Sequence, residues 1–102
     1  MSDTENKEGI LEKEETETEF PRMYRVLLRN DNYTTMDFVV EVLVKIFHMD
    51  QEKAIQVMMD VHKTGKGECG IYTRDIAATK TAQVRSMAEQ AGFPLKCFYE
   101  EA

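Results

Sequence analysis

Three short clusters in this 102-residue chain carry side chains able to do chemistry. The first is Asn30-Asp31-Asn32-Tyr33-Thr34-Thr35-Met36. Amide oxygens and a carboxylate are hydrogen-bond acceptors, so they suit a ligand rich in donors. The same residue types more often build turns and cap helices, which is the plainer explanation for the run on its own. The second cluster is Met58, Val61 and His62, whose spacing puts all three on one face of a helix. A Met and a Val so spaced usually mark core, with a lone His at its boundary. The third is Cys69-Gly70-Ile71-Tyr72-Thr73-Arg74-Asp75-Ile76-Ala77, a strand running into a helix start. There Gly70 lets another segment approach closely.

Catalysis finds little support. Cys69, His62 and Asn30 have the types of a nucleophilic Cys-His-Asn site. However, Cys69 falls within a strand, with no helix N-terminus behind it to lower its pKa. His48, His62 and the two cysteines lack zinc-ligand spacing, and there is no phosphate-binding loop or dinucleotide fingerprint. No catalytic residue, metal or cofactor is therefore expected. Cys69 and Cys97 read as two reduced thiols packed as small apolar side chains.

Charge is unevenly distributed. Residues 1–19 hold eight acids against Lys7 and Lys13, which accounts for the whole net charge of −6. The remainder balances to zero, leaving no basic excess for nucleic acid. No run approaches the roughly 20 apolar residues of a membrane span. The first residues lack the basic-then-apolar order of a secretory signal. A cytoplasmic protein with no membrane partner is expected.

The clusters must be positioned by the elements around them. Residues 1–21 read as a disordered acidic extension, because they have almost nothing to bury. Phe20-Pro21 marks the boundary of one domain over 22–102. Tyr24, Val26 and Leu28 alternate on a strand that Asn30-Asp31-Asn32 breaks. Thr34 is placed to cap a first helix, with Asp37 three residues on and Met36, Val39, Val40, Leu43 and Phe47 as its apolar stripe. Asp50 caps a second helix, striped by Ala54, Val57, Met58 and Val61 and stopped at Gly65. Gly65 and Gly67 turn the chain into a strand over 68–73. A third helix starts at Thr73 or Asp75, buries Ala77, Val84, Ala88 and Ala91, and ends at Gly92. A last strand runs from Leu95 to Tyr99. The expected fold is α+β, in the order β-α-α-β-α-β, with three helices on one face of a three-stranded sheet.

Taken together, Tyr24–Leu28, the run at 30–36, Met58–His62, Gly67–Lys80 and Pro94-Leu95-Lys96-Cys97 resemble the ClpS family of protease adaptors. The likeness covers residues 22–101 in order, and several motifs together are far more specific than any one. It implies recognition of N-degrons, proteins whose first residue is Leu, Phe, Tyr or Trp, for delivery to a ClpA-type AAA+ unfoldase. Carried over residue by residue, Asn30, Asp31 and His62 would hold the α-amino group. Thr34, Met36, Val39, Met58, Val61 and Leu95 would shape a hydrophobic pocket, with Met36 as a gate against β-branched first residues. Asp75 and Lys80 would meet the N-terminal domain of the unfoldase, and the N-terminal extension would serve delivery.

These roles are physically coherent. An α-amino group, with a pKa of about 7.7–8.0, is mostly a cation near neutral pH and needs acceptors. Charge-assisted hydrogen bonds of about 1.5–3 kcal/mol and similar gains from burying Leu or Phe predict micromolar binding after association costs. Two positions depart from the common family pattern. Asn32 stands where an acid is frequent. Thr35 stands where Pro is frequent, which is expected to loosen the loop. A module of related shape that only docks on the unfoldase would lack Asn30, Asp31 and His62, all of which are present. A monomer is expected.

Overall fold

The structure, a computed structural model, describes residues 20–102. The acidic extension, apart from Phe20 and Pro21, lies outside the described residues. The elements follow in the expected order: β1 Met23–Arg29, α1 Met36–Lys45, α2 Gln51–Thr64, β2 Lys66–Thr73, α3 Arg74–Ala91 and β3 Lys96–Glu101. The sheet is antiparallel, with β1 central in the order β2-β1-β3.

On the inner face, Val26 and Leu28 are fully buried and Tyr24 is half-buried. Leu28 stands opposite Gly67 on one side and Cys97 on the other. An irregularity in the pairing between Val26 and Leu27 leaves Cys69 without a partner across the ladder, yet buried. All three helices feed one apolar cluster with this face. It includes Val42 and Leu43 from α1, Ala54 and Val57 from α2, and Ala77 and Val84 from α3. Burying such side chains contributes about 1.5–3 kcal/mol for each large one.

Asp50 accepts from Lys53 N–H at 2.8 Å, and Gly65 ends α2 in the left-handed region at φ 93°. Gly92 ends α3 in the same way. Other local expectations shift. The cap of α1 is Thr35, whose hydroxyl accepts from Phe38 N–H at 3.1 Å, because Thr34 is drawn back to Asp31. Thr35 therefore fastens the start of α1.

The buried stripe of α1 runs through Phe38, Val39, Val42 and Leu43, while Met36 is 43% exposed. The ring of Phe38 packs 4.8 Å from that of Phe93, a contact from beyond the end of α3 that rotates the helix. On α3, Ala91 is exposed and Thr81 buried, so the stripe passes through Thr81 and stops a turn early. Strand β2 begins at Lys66, not 68, and β3 at Lys96, leaving Leu95 as a buried residue just before it. Gly67 serves contact rather than turning: a Cβ there would collide with Val61 Cγ2 and lie 3.2 Å from the Val57 carbonyl oxygen. The missing side chain is what lets α2 lie against β2.

Candidate functional site

The loop Asn30–Thr35 leaves the end of β1 and is tied at both ends. The Asn30 N–H donates to the Gly65 carbonyl at 2.9 Å, joining the exit of β1 to the end of α2. Asp31 organises the rest of the loop. Its Oδ1 accepts from Tyr33 N–H at 2.8 Å and Thr34 N–H at 2.7 Å, and its Oδ2 accepts the Thr34 hydroxyl at 2.7 Å. Partial burial pushes this carboxyl up, but the bonds from Thr34 and Tyr33, with the positive charge of Lys96, outweigh it. The group is held below its ordinary value and stays ionised at neutral pH.

Against this loop lie α1 and the last turns of α2. Together they enclose a cavity of about 220 Å³ lined by Asn30, Asp31, Asn32, Thr34, Met36, Val39, Met58, Val61 and His62. Its two halves differ in chemistry. Val39, Met58 and Val61 are 6%, 9% and 3% exposed and form an apolar floor, with half-exposed Met36 at the mouth. Asn30, Asp31, Asn32 and His62 form a polar rim. His62 lies in the last turn of α2, where the exposed carbonyl ends carry partial negative charge that favours a cation. The volume is smaller than the roughly 300–1,000 Å³ of drug-sized sites and suits one large side chain.

Eight of the nine residues assigned to the ligand meet here. Asn32 lines the cavity too, and only its place in the same turn signalled that. Leu95 does not line the cavity. It sits in the same apolar cluster as Val39, Met58 and Val61, but faces a separate depression with Arg29, Arg85 and Lys96. Three of the four acceptor positions of Asp31 are already used within the loop, so most of its charge serves the loop and one position remains for a ligand.

The residues of the hypothetical nucleophile fare badly. Burial, then the neighbouring Cys97 and Glu68, pushes the Cys69 thiol far up, and burial pushes Cys97 up to about 11 despite Thr81 and Arg85. Neither forms a thiolate near neutral pH. Among the described residues, no group of three or more metal-ligating side chains gathers, and no helix is long and apolar enough to cross a membrane.

Comparison with known proteins decides the family. The family model for the ATP-dependent Clp protease adaptor protein ClpS matches residues 19–98. The chain belongs to the ClpS family. It is 58% identical over 81 residues to the ClpS adapter protein of Syntrophus aciditrophicus, covering 79% of this chain and 76% of that one. To the ClpS of Ralstonia pickettii it is 55% identical over 93 residues, 91% and 86% of the two chains. Among solved structures it is similar to Agrobacterium tumefaciens ClpS2 bound to L-phenylalaninamide. The TM-score is 0.79 at 37% identity, over 81% of this chain and all of that one. As in other ClpS proteins, the role is that of an adaptor of the Clp protease.

The segment matched to the unfoldase contact is split by its geometry. Asp75 is exposed in the first turn of α3. Lys80 is half-buried. Its ammonium donates to the Ile46 carbonyl at 2.8 Å and lies 5.7 and 5.4 Å from the ring centres of Phe47 and Tyr72. It closes the end of α1, a favourable place for a cation.

Proposed function

We propose that this ClpS protein binds the first residue of proteins beginning with Leu, Phe, Tyr or Trp and passes them to a ClpA-type unfoldase in the cytoplasm. The observation that carries this is one cavity with both an apolar floor and a rim of acceptors. A free N-terminal residue has the matching pair of features, a side chain to bury and an ammonium with three donors. L-Phenylalaninamide, the ligand of the A. tumefaciens protein, has the same pair.

In this reading the first side chain enters between Val39, Met58 and Val61. The α-amino group meets Asn30, His62 and the remaining acceptor position of Asp31. An imidazole accepts only while unprotonated. Met36, at the mouth, is in this reading the gate against first residues branched at Cβ. The flexible methionines adapt to aliphatic and aromatic guests alike. No bond is made or broken, so specificity rests on the difference in burial and hydrogen bonding between first residues. The protein acts as a monomer, its N-terminal extension serves delivery, and the unfoldase's N-terminal domain docks near Asp75 and Lys80. Because Lys80 is engaged internally, Asp75 is the cleaner probe of that contact.

Fluorescence anisotropy with peptides differing only at their first residue tests the proposal. Leu and Phe peptides should bind in the micromolar range, Ile should bind more weakly, and acetylated Leu should not bind. If none bound, the chain would be a module that docks on the unfoldase without reading N-termini.

A further inference from the structure

We propose that the acidic segment at the start of this chain docks on a row of three cations crossing the outer face of the sheet beside the cavity. Arg29 on β1 pairs directly with Lys66 on β2 and with Lys96 on β3. Directly opposed residues point to the same side, and like charges so placed destabilise a sheet. All three side chains are exposed, and the Arg29 guanidinium is held over the Phe98 ring at 5.3 Å. Among the described residues none of the three is in an ion pair. Glu68, on the same face as Lys66, is not bonded to any of them. The nearby Asp31 feels the charge of Lys96 without forming an ion pair with it, and it offsets only part of the charge of the row. Arg85 adds a fourth cation at the rim, donating to the Cys97 carbonyl at 3.1 Å.

Three cations in a row, in no described ion pair and offset only in part by Asp31, call for a further anionic partner, and this chain carries one. Residues 1–19 have a net charge of −6, whereas the rest of the chain balances to zero. Reach is sufficient. From Arg22 the row lies about one strand length away, roughly 20 Å at 3.3 Å per residue. Some seven extended residues span that distance. The acids Asp3, Glu5, Glu8, Glu12, Glu14 and Glu15 are all far enough from the root to arrive. Tethering gives such a segment an effective concentration in the millimolar range, so weak exposed ion pairs suffice. Docking would also offset the field of three cations next to Asn30, where a cationic ligand is proposed to bind. That consequence rests on the proposed function; the contact itself does not.

The test uses the full chain with a spin label on Glu8→Cys. Both native thiols are buried and resist labelling at neutral pH. At low salt the label should broaden the amide signals of Arg29, Lys66 and Lys96 several-fold more than those of Lys53 and Arg74, cations placed elsewhere. The effect should vanish near 1 M salt, where the screening length is about 3 Å. It should also vanish in Arg29→Gln/Lys66→Gln/Lys96→Gln, which removes repulsion and should not unfold the sheet. Uniform broadening, or broadening that survives the triple substitution, would overturn the proposal. So would broadening seen only between copies when labelled chain is mixed with isotope-enriched, unlabelled chain, because the occupant would then be a second molecule.

Discussion

Asp31 offers the sharpest test of how the site works. If its main task is to fold the loop, then what matters is an acceptor oxygen in place, more than a negative charge. Asp31→Ala removes acceptors for Tyr33 N–H, Thr34 N–H and the Thr34 hydroxyl together. Hydrogen bonds to an ionised group are worth about 1.5–3 kcal/mol when sheltered, but this carboxylate is partly exposed and water replaces part of the loss. A net cost of about 2 kcal/mol results, and because the loop must then be ordered on binding, peptide affinity should fall roughly 30-fold. Asp31→Asn keeps an amide oxygen where Oδ1 now receives two backbone bonds. It should cost about 1 kcal/mol, roughly fivefold in affinity. Anisotropy titrations with a Leu-first peptide measure both. Equal losses for Asn and Ala would mean that the negative charge of Asp31 dominates, and an unchanged Ala variant would show that Asp31 plays no part in binding.

The pH dependence of the same group follows from its hydrogen bonds. The carboxyl of Asp31 is held below its ordinary value of 3.8. A depressed value means its stabilisation is present above that ordinary value and is lost as pH falls through the lower, folded value. Between pH 5 and 8 its contribution is flat. A loss of affinity on the acid side of that window would therefore not come from Asp31. His62→Ala, which removes one ring acceptor from the rim, should weaken binding of a Leu-first peptide at neutral pH, and an unchanged affinity would remove His62 from the site.

Three further substitutions probe the walls and their supports. Gly67→Ala should force α2 away from β2 through Val61 and Val57, costing about 1–3 kcal/mol in urea denaturation and weakening peptide binding as the wall moves. Met36→Ala should open the mouth: Ile-first peptides gain several-fold in the anisotropy series, while Leu-first peptides lose no more than about 1 kcal/mol, since Met36 is only partly buried. Lys80→Met should lower thermal stability by about 1–2 kcal/mol through loss of the bond to Ile46 and the ring contacts, whether or not an unfoldase is present.

What could be read from the sequence was chemistry confined to one element. Asp50 as a cap, Gly65 and Gly92 as stops, and the stripe Ala54-Val57-Met58-Val61 each depend on neighbours within a few residues. The misreadings lie where two local solutions compete. Thr34 and Thr35 are equally good caps, and the choice falls to Asp31, which takes the Thr34 hydroxyl for the loop. The apolar run around Val39–Phe47 offers overlapping stripes, and Phe93, far away in sequence, selects the one through Phe38. The structure likewise shows that Leu95 is close to the site in the cluster but not on its surface, a distinction that spacing does not contain.

The site and the fold share their fastenings. Asp31 holds the loop and lines the cavity. Thr34 satisfies Asp31 and lines it too. Val61 fills the space that Gly67 leaves and forms the floor. The Asn30 backbone, by bonding Gly65, fixes the distance between the acceptors of the loop and His62 on α2. Binding therefore does not have to assemble the rim, and little ordering cost is set against a small contact area. The same economy makes the site fragile. A substitution at Asp31, Thr34, Val61 or Gly67 should lower stability and affinity together. One at Met36, which fastens nothing, should change selectivity alone.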